Sequence, residues 1–327
     1  MTDSIDMSRN PECEPRMSVV TVTFNSGGEI EAFVCSLGRQ GLDTRLWLID
    51  NASTDDTPAM LMRLAREYNW IKARLNETNI GLAAANNLPL TELTGDYTAI
   101  VNPDIVLHPG ALSALADYLD AHPDVVAVAP VNVSEDGTPH TSFHRRWTLA
   151  HLFVWRMLPA ALTQWLYGRI RTYGEQNVLF ASGACLVVRT DAFQRIGGYD
   201  PEYFLTVEDV CDLCIRLREG DCTRRVIVTP VAQVTHLRSR SAVAVPFITL
   251  WNGARGSVYH FHKHGGPASG LAAYVIVASS SLMRLLLALP GAVFSARRRC
   301  SLRYHWQVLW QLVRDNPLRI KTRSADG

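Results

Sequence analysis

Between Ser18 and Val131 the chain switches repeatedly between a two-residue and a 3.6-residue hydrophobic period. No other feature restricts the fold as strongly. Val19 to Phe24 is a β-branched run closed by the turn signal Asn25-Ser26-Gly27-Gly28. A helical stretch follows over 29–40, then a second strand over 45–50 and a capping cluster from Asn51 to Asp56. In 57–68 the apolar residues Met60, Leu61, Leu64 and Ala65 fall at helical spacing. Further strands are predicted at 71–75, 97–101 and 125–129, with helices at 81–93 and 109–121. Strands joined through helices by short connections imply a parallel sheet with right-handed crossovers. The expected class is α/β: a Rossmann-like, mostly parallel sheet flanked by helices.

Two of these strands end in acids. Leu46-Trp47-Leu48-Ile49 runs into Asp50, and Tyr97 to Val101 runs into Asn102-Pro103-Asp104. A carboxylate just past a buried strand lies at the carboxyl edge of a parallel sheet, where open α/β folds bind ligands. There it can hold Mg²⁺ or Mn²⁺ against a diphosphate, because both ions favour carboxylate and phosphate oxygens. Either Asp alone could simply cap the next helix. Two at successive strand ends, with Glu208-Asp209 and His236 further on, favour a site. The loop after the first strand has neither a Gly-x-Gly-x-x-Gly fingerprint nor a Gly-Lys-Ser/Thr cradle. A helix N-terminus alone is therefore not expected to hold the diphosphate, and a metal on Asp104 would carry that load.

From 131 to 240 the pattern is less regular. Strands are predicted at 184–189, 225–229 and 231–237, and helices at 191–196 and 208–219. The stretch 145–171 carries Trp147, Phe153, Trp155, Trp165 and Tyr167 among Leu and basic residues, as either a packed helix or a membrane-facing flap does. The seven cysteines are odd in number and show no framework spacing, as expected in a reducing cytosol. Cys211, Cys214 and Cys222 could suggest a zinc knot; with no second pair, buried thiols are the preferred reading. The segment 1–17 is polar and lacks an apolar signal region, so a loose tail is expected there.

Charge is informative only when divided. The net charge of +1 argues against a general nucleic-acid binder. Residues 295–327 hold eight Lys or Arg and two Asp, a net of +6, which leaves −5 on residues 1–294. A basic tail on an acidic body suggests an anionic membrane surface as partner. The apolar segment 271–294 precedes that tail and is long enough to span a bilayer. Arg284 and Ser279-Ser280-Ser281 make a clean span costly, so an interfacial or re-entrant helix pair is preferred over a span or a core helix.

The ordered motifs resemble family 2 glycosyltransferases of the GT-A fold. They are Val22-Thr23-Phe24-Asn25-Ser26, Ile49 to Asp55, Asn79-Ile80-Gly81 to Asn86-Asn87, and Val101-Asn102-Pro103-Asp104. Ser182-Gly183-Ala184, Gly197-Gly198-Tyr199-Asp200, Glu208-Asp209 and His236 follow in family order. Within that family Asn-Pro-Asp and the Asn-x-Gly helix most resemble bacterial rhamnosyltransferases that use dTDP-rhamnose on lipid-linked glycans.

The resemblance implies a catalytic domain at 18–245, with a nucleotide-sugar half (18–131) and an acceptor half (132–245). A helical membrane-associating region would follow at 246–327. It implies that Thr23, Phe24, Asn25 and Asp50 border the nucleoside, and that Asn79, Gly81, Asn86 and Asn102 line the donor pocket. Gly81 would allow close backbone approach. Asp104 would bind Mn²⁺ or Mg²⁺, with His236 as a further ligand that favours manganese. Gly183 would leave room for the acceptor, Asp209 would be the base and Glu208 would position it or touch the acceptor.

The implied enzyme is an inverting hexosyltransferase at the cytoplasmic face of the inner membrane. Its donor would be a nucleotide-diphospho-sugar and its acceptor a polyprenyl-linked saccharide. UDP-hexose or UDP-HexNAc is the alternative donor, and an inactive membrane-docked scaffold the alternative role. One departure keeps the scaffold in play. The family reads Glu-Asp-x-Asp-Leu, whereas here Val210-Cys211 separates Asp209 from Asp212-Leu213. The extra residue rotates Asp212 by about 100° on a helix. Either the helix starts with a bulge or Asp212 has lost its usual role.

Overall fold

The structure, a computed structural model, describes residues 14–139, 143–159, 162–163, 174–237, 246–291 and 295–319. They form two compact units. One is drawn from 1–145, 170–204 and 209–241, the other from 146–169, 205–208 and 242–327.

The first unit is built on a sheet. Strands β1 (Met17–Thr23), β2 (Thr44–Asp50), β3 (Ile71–Leu75) and β4 (Tyr97–Val101) run parallel in the spatial order β3-β2-β1-β4. Helices α1 (Ile30–Gly38), α2 (Thr57–Glu67) and α3 (Leu82–Asn86) lie on their connections. Ile30, Phe33 and Leu37 of α1 and Leu61 and Leu64 of α2 join Leu46 and Leu48 in one buried core. Burying each such side chain stabilises by about 1.5–3 kcal/mol. The register pairs Thr23 with Asp50 and Asp50 with Leu75, so three strand ends line up at one edge.

Beyond β4 the sheet becomes mixed, within the expected mostly parallel architecture. The chain continues through β5 (Ile105–Leu107), α4 (Ala111–Ala121) and β6 (Val125–Val133), then the short strands β7 (Phe143–His144), β8 (Gln176–Asn177) and β9 (Phe180–Ala181). Strand β10 (Cys185–Arg189) then inserts antiparallel between β4 and β6. Helices α6 (Thr190–Arg195) and α7 (Glu208–Arg216) lead to β11 (Arg225–His236), which is parallel to β6 and antiparallel to β5.

Three local expectations are corrected. Strand β11 is single where two strands were predicted. Pro230 has no N–H to give the ladder, and the pairing shifts register between Thr229 and Gln233 instead of ending. Helix α3 stops at Asn86 rather than at Leu93, because Pro89 cannot continue the helical ladder; a 3₁₀ turn follows at Leu90–Glu92. Met17 is not tail but the buried start of β1, and Arg16 pairs with Asp117 and Asp120. Residues 1–13 lie outside the described residues.

The second unit is helical. Besides α8 (Pro246–Ala288) and α9 (Ala296–Arg314) it contains α5 (Leu149–Met157), from the aromatic stretch; Trp165 and Tyr167 lie outside the described residues. Thr148 Oγ1 caps α5 and Ser295 Oγ caps α9, each accepting an N–H from the first turn. Helix α8 breaks at Gly266 (φ 76°), before Pro267. Ala254, Val258 and Val277 of α8 pack with Val308 and Leu312 of α9, and Leu152 of α5 packs with Phe261 and Ala273. The apolar segment expected at 271–294 forms the later part of α8, with 292–294 outside the described residues. Much of it is exposed: Leu271, Val275, Leu282, Leu286 and Leu287 are each about half exposed or more.

Candidate active site

At the edge where β1 and β2 end, Asp50 is 2% exposed and organises the loops around it. Its Oδ1 accepts from Thr23 Oγ1 at 3.2 Å and Ser53 Oγ at 2.5 Å, and its Oδ2 accepts the Ser53 N–H at 2.9 Å. A carboxylate has about four acceptor positions. Three are filled from within. Asn25 closes the first loop in a left-handed conformation (φ 52°): its N–H donates to Ser53 Oγ at 2.8 Å, and its Oδ1 accepts the Thr54 N–H at 2.8 Å. Ala52 is also left-handed (φ 65°). A Cβ makes that conformation cost about 1–2 kcal/mol, and the Asp50–Ser53 bonds hold it. Half-buried Phe24 lies between the two loops' anchors, its N–H donating to Ser26 Oγ at 3.3 Å.

The next strand end is held by amides. Asn51 Oδ1 accepts from Asn76 Nδ2 and the Ile80 N–H, both at 3.1 Å, while its Nδ2 donates to Asn79 Oδ1 at 2.9 Å. Asn79 Oδ1 also accepts the Gly81 N–H at 3.0 Å. Asn79 therefore shapes this loop, and the sequence reading missed Asn51 as its organiser. Gly81 (φ 86°) allows close backbone approach, but the approaching backbone is the chain's own. A Cβ there would meet Phe204 Cα and O at 2.9 Å, and the Leu82 N–H donates to Phe204 O. On α3, Asn86 is buried; its Nδ2 donates to Leu82 O, and its Oδ1 is buried with no hydrogen-bond partner. Asn87 brackets Tyr199, giving Nδ2 to its carbonyl at 2.7 Å and taking its N–H at 2.8 Å.

The end of β4 is joined by two distant strands. The Asn102 N–H donates to Ala184 O at 2.9 Å, which sets Gly183 beside the Asn-Pro-Asp turn. The β5–β11 register pairs Ile105 with His236. That puts His236 Nε2 3.1 Å from Asp104 Oδ2, and the Leu237 N–H donates to Asp104 O at 2.9 Å. Asp104 is nearly buried and His236 partly so. Among the described residues no cluster of three or more His, Cys, Asp or Glu is arranged to hold an ion. The pair still suits a divalent one. Mg²⁺-type sites take one or two protein donors and leave the remainder to phosphate and water, and adjacent octahedral donors at about 2.1 Å lie about 3 Å apart.

Helix α7 carries the acids. Asp209 is 5% exposed, at the first turn; with burial, its charge keeps the Tyr199 hydroxyl well above the usual tyrosine range. A Cβ on Gly183 would meet only Val210 Cβ, at 3.9 Å, so space is open there. Glu208 belongs to the second unit, where its Oε1 accepts from Ser257 Oγ at 2.7 Å. The helix runs unbroken through the extra residue, so there is no bulge. Asp212 is wholly buried and salt-bridged to Arg216 Nε at 2.7 Å. Arg216 Nη1 in turn donates to Ile196 O and Gly198 O, fixing the Gly197-Gly198-Tyr199-Asp200 turn. Asp212 is thus a strut for that turn. Cys214 is buried with its thiol pushed up to about 11 by desolvation, Cys211 is buried beside it and Cys222 is exposed, which is no zinc knot.

The model of the family "Glycosyl transferase family 2" matches residues 18–197. The chain is 29% identical over 242 residues to the N-acetylglucosaminyl-diphospho-decaprenol L-rhamnosyltransferase of Mycobacterium tuberculosis, covering 69% of this chain and 77% of that one. Among solved structures it resembles the mannosyltransferase PcManGT from Pyrobaculum calidifontis in complex with GDP-Man and Mn²⁺. That likeness has a TM-score of 0.55 at 18% identity and covers 95% and 90% of the two chains. It also resembles GalNAc-T7 with UDP, GalNAc and Mn²⁺, with a TM-score of 0.53 at 17% identity over 78% of this chain and 51% of that one. These likenesses establish a GT-A-like fold.

Proposed function

The chain belongs to glycosyl transferase family 2, and on that premise we propose an inverting, metal-dependent transfer from a nucleotide-diphospho-sugar to a polyprenyl-diphosphate-linked saccharide. The observation that carries the metal-dependent reading is Asp104 and His236, drawn from 132 residues apart to 3.1 Å at the carboxyl edge of the sheet. Asp104 and His236 would hold Mn²⁺ or Mg²⁺, which would supply positive charge against the departing diphosphate. Thr23, Phe24, Asn25 and Asp50 border the nucleoside, Asn79 and Gly81 shape the donor loop, and Asn86 and Asn102 line the donor pocket. Asp209 takes the proton from the acceptor hydroxyl as that oxygen bonds to the anomeric carbon. The bond from that carbon to the diphosphate breaks on the opposite face, and the nucleoside diphosphate leaves with the electron pair. Gly183 leaves room for the acceptor sugar.

The proposed donor and acceptor are supported by the mycobacterial relative, whose name specifies L-rhamnose transfer to a diphospho-decaprenol saccharide. dTDP-rhamnose is accordingly the first donor to test, and UDP-hexose or UDP-HexNAc the second. For location, we propose the cytoplasmic membrane surface, through the second unit. An 18-residue window within 247–288 is apolar enough to cross a membrane yet only 28% buried, and exposed Trp306, Trp310 and Arg303 lie on α9. The part of α8 after Gly266 is about 33 Å long at 1.5 Å per residue, near a bilayer core's thickness. Arg284 within it is turned inward, donating to Arg156 O, which favours lying in the interface over spanning. The test is a panel of nucleotide sugars with Mn²⁺ and a short polyprenyl-diphosphate-GlcNAc acceptor. Transfer should be greatest with dTDP-rhamnose; equal transfer from UDP-glucose overturns the rhamnose reading, and no transfer or hydrolysis from any donor favours the inactive scaffold.

A further inference from the structure

The second unit contains a polar cluster that the proposed chemistry does not use. Arg156 of α5, Ser257 and Arg284 of α8 and His305 of α9 come together there with Glu208. Arg284 Nη2 donates to Arg156 O at 3.1 Å. Arg156 Nη2 donates to Gly253 O and to Ser257 Oγ, the latter at 3.2 Å, and Ser257 Oγ donates to Glu208 Oε1. Both guanidinium groups act on His305, which is 7% exposed and whose Nδ1 is buried with no hydrogen-bond partner.

The charges do not balance. Among the described residues no carboxylate lies within ion-pair distance of either arginine; Glu208 reaches Arg156 only as a longer-range charge. Two guanidiniums therefore face one carboxylate, beside an imidazole that burial and then the two arginines hold in its neutral form. A charge removed from water without a partner is expensive. Natural cores avoid this by pairing the charge internally or by leaving it for a ligand. Each arginine keeps part of its side chain exposed, although burial desolvates both guanidiniums. Arginine's planar fork suits phosphate oxygens, which it can engage with two parallel N–H donors. The same helices carry the exposed apolar residues Leu282, Leu286 and Trp306.

We propose that Arg156, Arg284 and His305 form the binding site for the diphosphate of a prenyl-diphosphate acceptor, with Glu208–Ser257 holding Arg156 in position. The assignment rests on the acceptor class proposed above and adds the residues that recognise it. The same chemistry fits a phospholipid headgroup, and the test separates the two.

Farnesyl diphosphate, farnesyl monophosphate and farnesol are titrated onto the full-length protein, with inorganic pyrophosphate as competitor. Wild type should bind the diphosphate at least tenfold more tightly than the alcohol, and pyrophosphate should displace it. Arg284→Gln and Arg156→Gln should each weaken diphosphate binding at least tenfold, and Arg284→Lys should do so less. Mn²⁺-dependent nucleotide binding by the same variants serves as the folding control. Equal binding of diphosphate and alcohol by wild type overturns the proposal without any variant being needed. So does unchanged diphosphate binding in both glutamine variants. Loss of binding to phosphatidylglycerol vesicles with retained farnesyl diphosphate binding assigns the cluster to lipid headgroups instead. None of these readings requires transfer, so a wrong acceptor sugar or an inactive enzyme shows in the transfer panel and not here.

Discussion

Replacing Asp212 by Asn removes one charge from a buried pair while keeping the shape of the side chain. Asp212 is fully buried and the Arg216 side chain is 13% exposed, with 2.7 Å between their bonded atoms. Removing one partner of such a pair usually costs about 3–5 kcal/mol, because the other charge stays buried. Here Arg216 keeps its bonds to Ile196 O and Gly198 O, and Asn can still accept through its own oxygen, which argues for the lower end. Against that, Arg216 Nη2 is already buried without an acceptor, so the guanidinium has little in reserve. We predict a loss of about 3 kcal/mol, which at roughly 2–4 °C per kcal/mol lowers the melting temperature by about 6–12 °C. Transfer measured well below that temperature, per folded molecule, should stay within about threefold of wild type, since a positioned base is worth far more, about 10²–10⁴-fold. Thermal melts and steady-state kinetics on one preparation decide it. An Asp212→Asn protein that melts with wild type yet transfers a hundredfold more slowly would make Asp212 the base and refute the strut.

Three further outcomes are expected. Asp209→Asn should retain donor affinity and lose transfer by about 10²–10⁴-fold; near-normal turnover in that variant removes Asp209 from the mechanism. Asp104→Ala should abolish the Mn²⁺-dependent part of nucleotide-sugar binding, read by calorimetry, and leave the circular dichroism spectrum unchanged; unaltered affinity with and without Mn²⁺ excludes Asp104 as a ligand. Protein bound to anionic vesicles should be released by high salt, because each Arg near the surface contributes about 1 kcal/mol that fades within a Debye length. Retention in the membrane pellet through both high salt and alkaline carbonate would mean that α8 spans.

What could be read from the sequence was local. The alternation over 18–131 placed the first four parallel strands and their helices, because one buried face with a fixed period leaves a strand or helix little choice. It also placed Thr23, Asp50 and Asp104 at one edge, since parallel strands joined by crossovers end on the same side. Where those residues spend their hydrogen bonds was not legible. Asp50 is mostly engaged by Thr23 and Ser53, and Gly81 makes room for Phe204 rather than for a ligand.

Only the tertiary structure decided the non-local pairings. Strand β10 enters antiparallel between β4 and β6 and sets Gly183 beside Asn102, and β5 pairs with β11 to set His236 against Asp104. It also settled the consequence of the extra residue after Asp209: on an unbroken helix the displaced Asp212 meets Arg216 one turn later. Arg156, Arg284 and His305 stand 128 and 21 residues apart along the chain, with no motif to link them. A hydrophobic period reports which face of an element is buried. It carries no information about which distant element covers that face, and that choice brings together the side chains that do the chemistry.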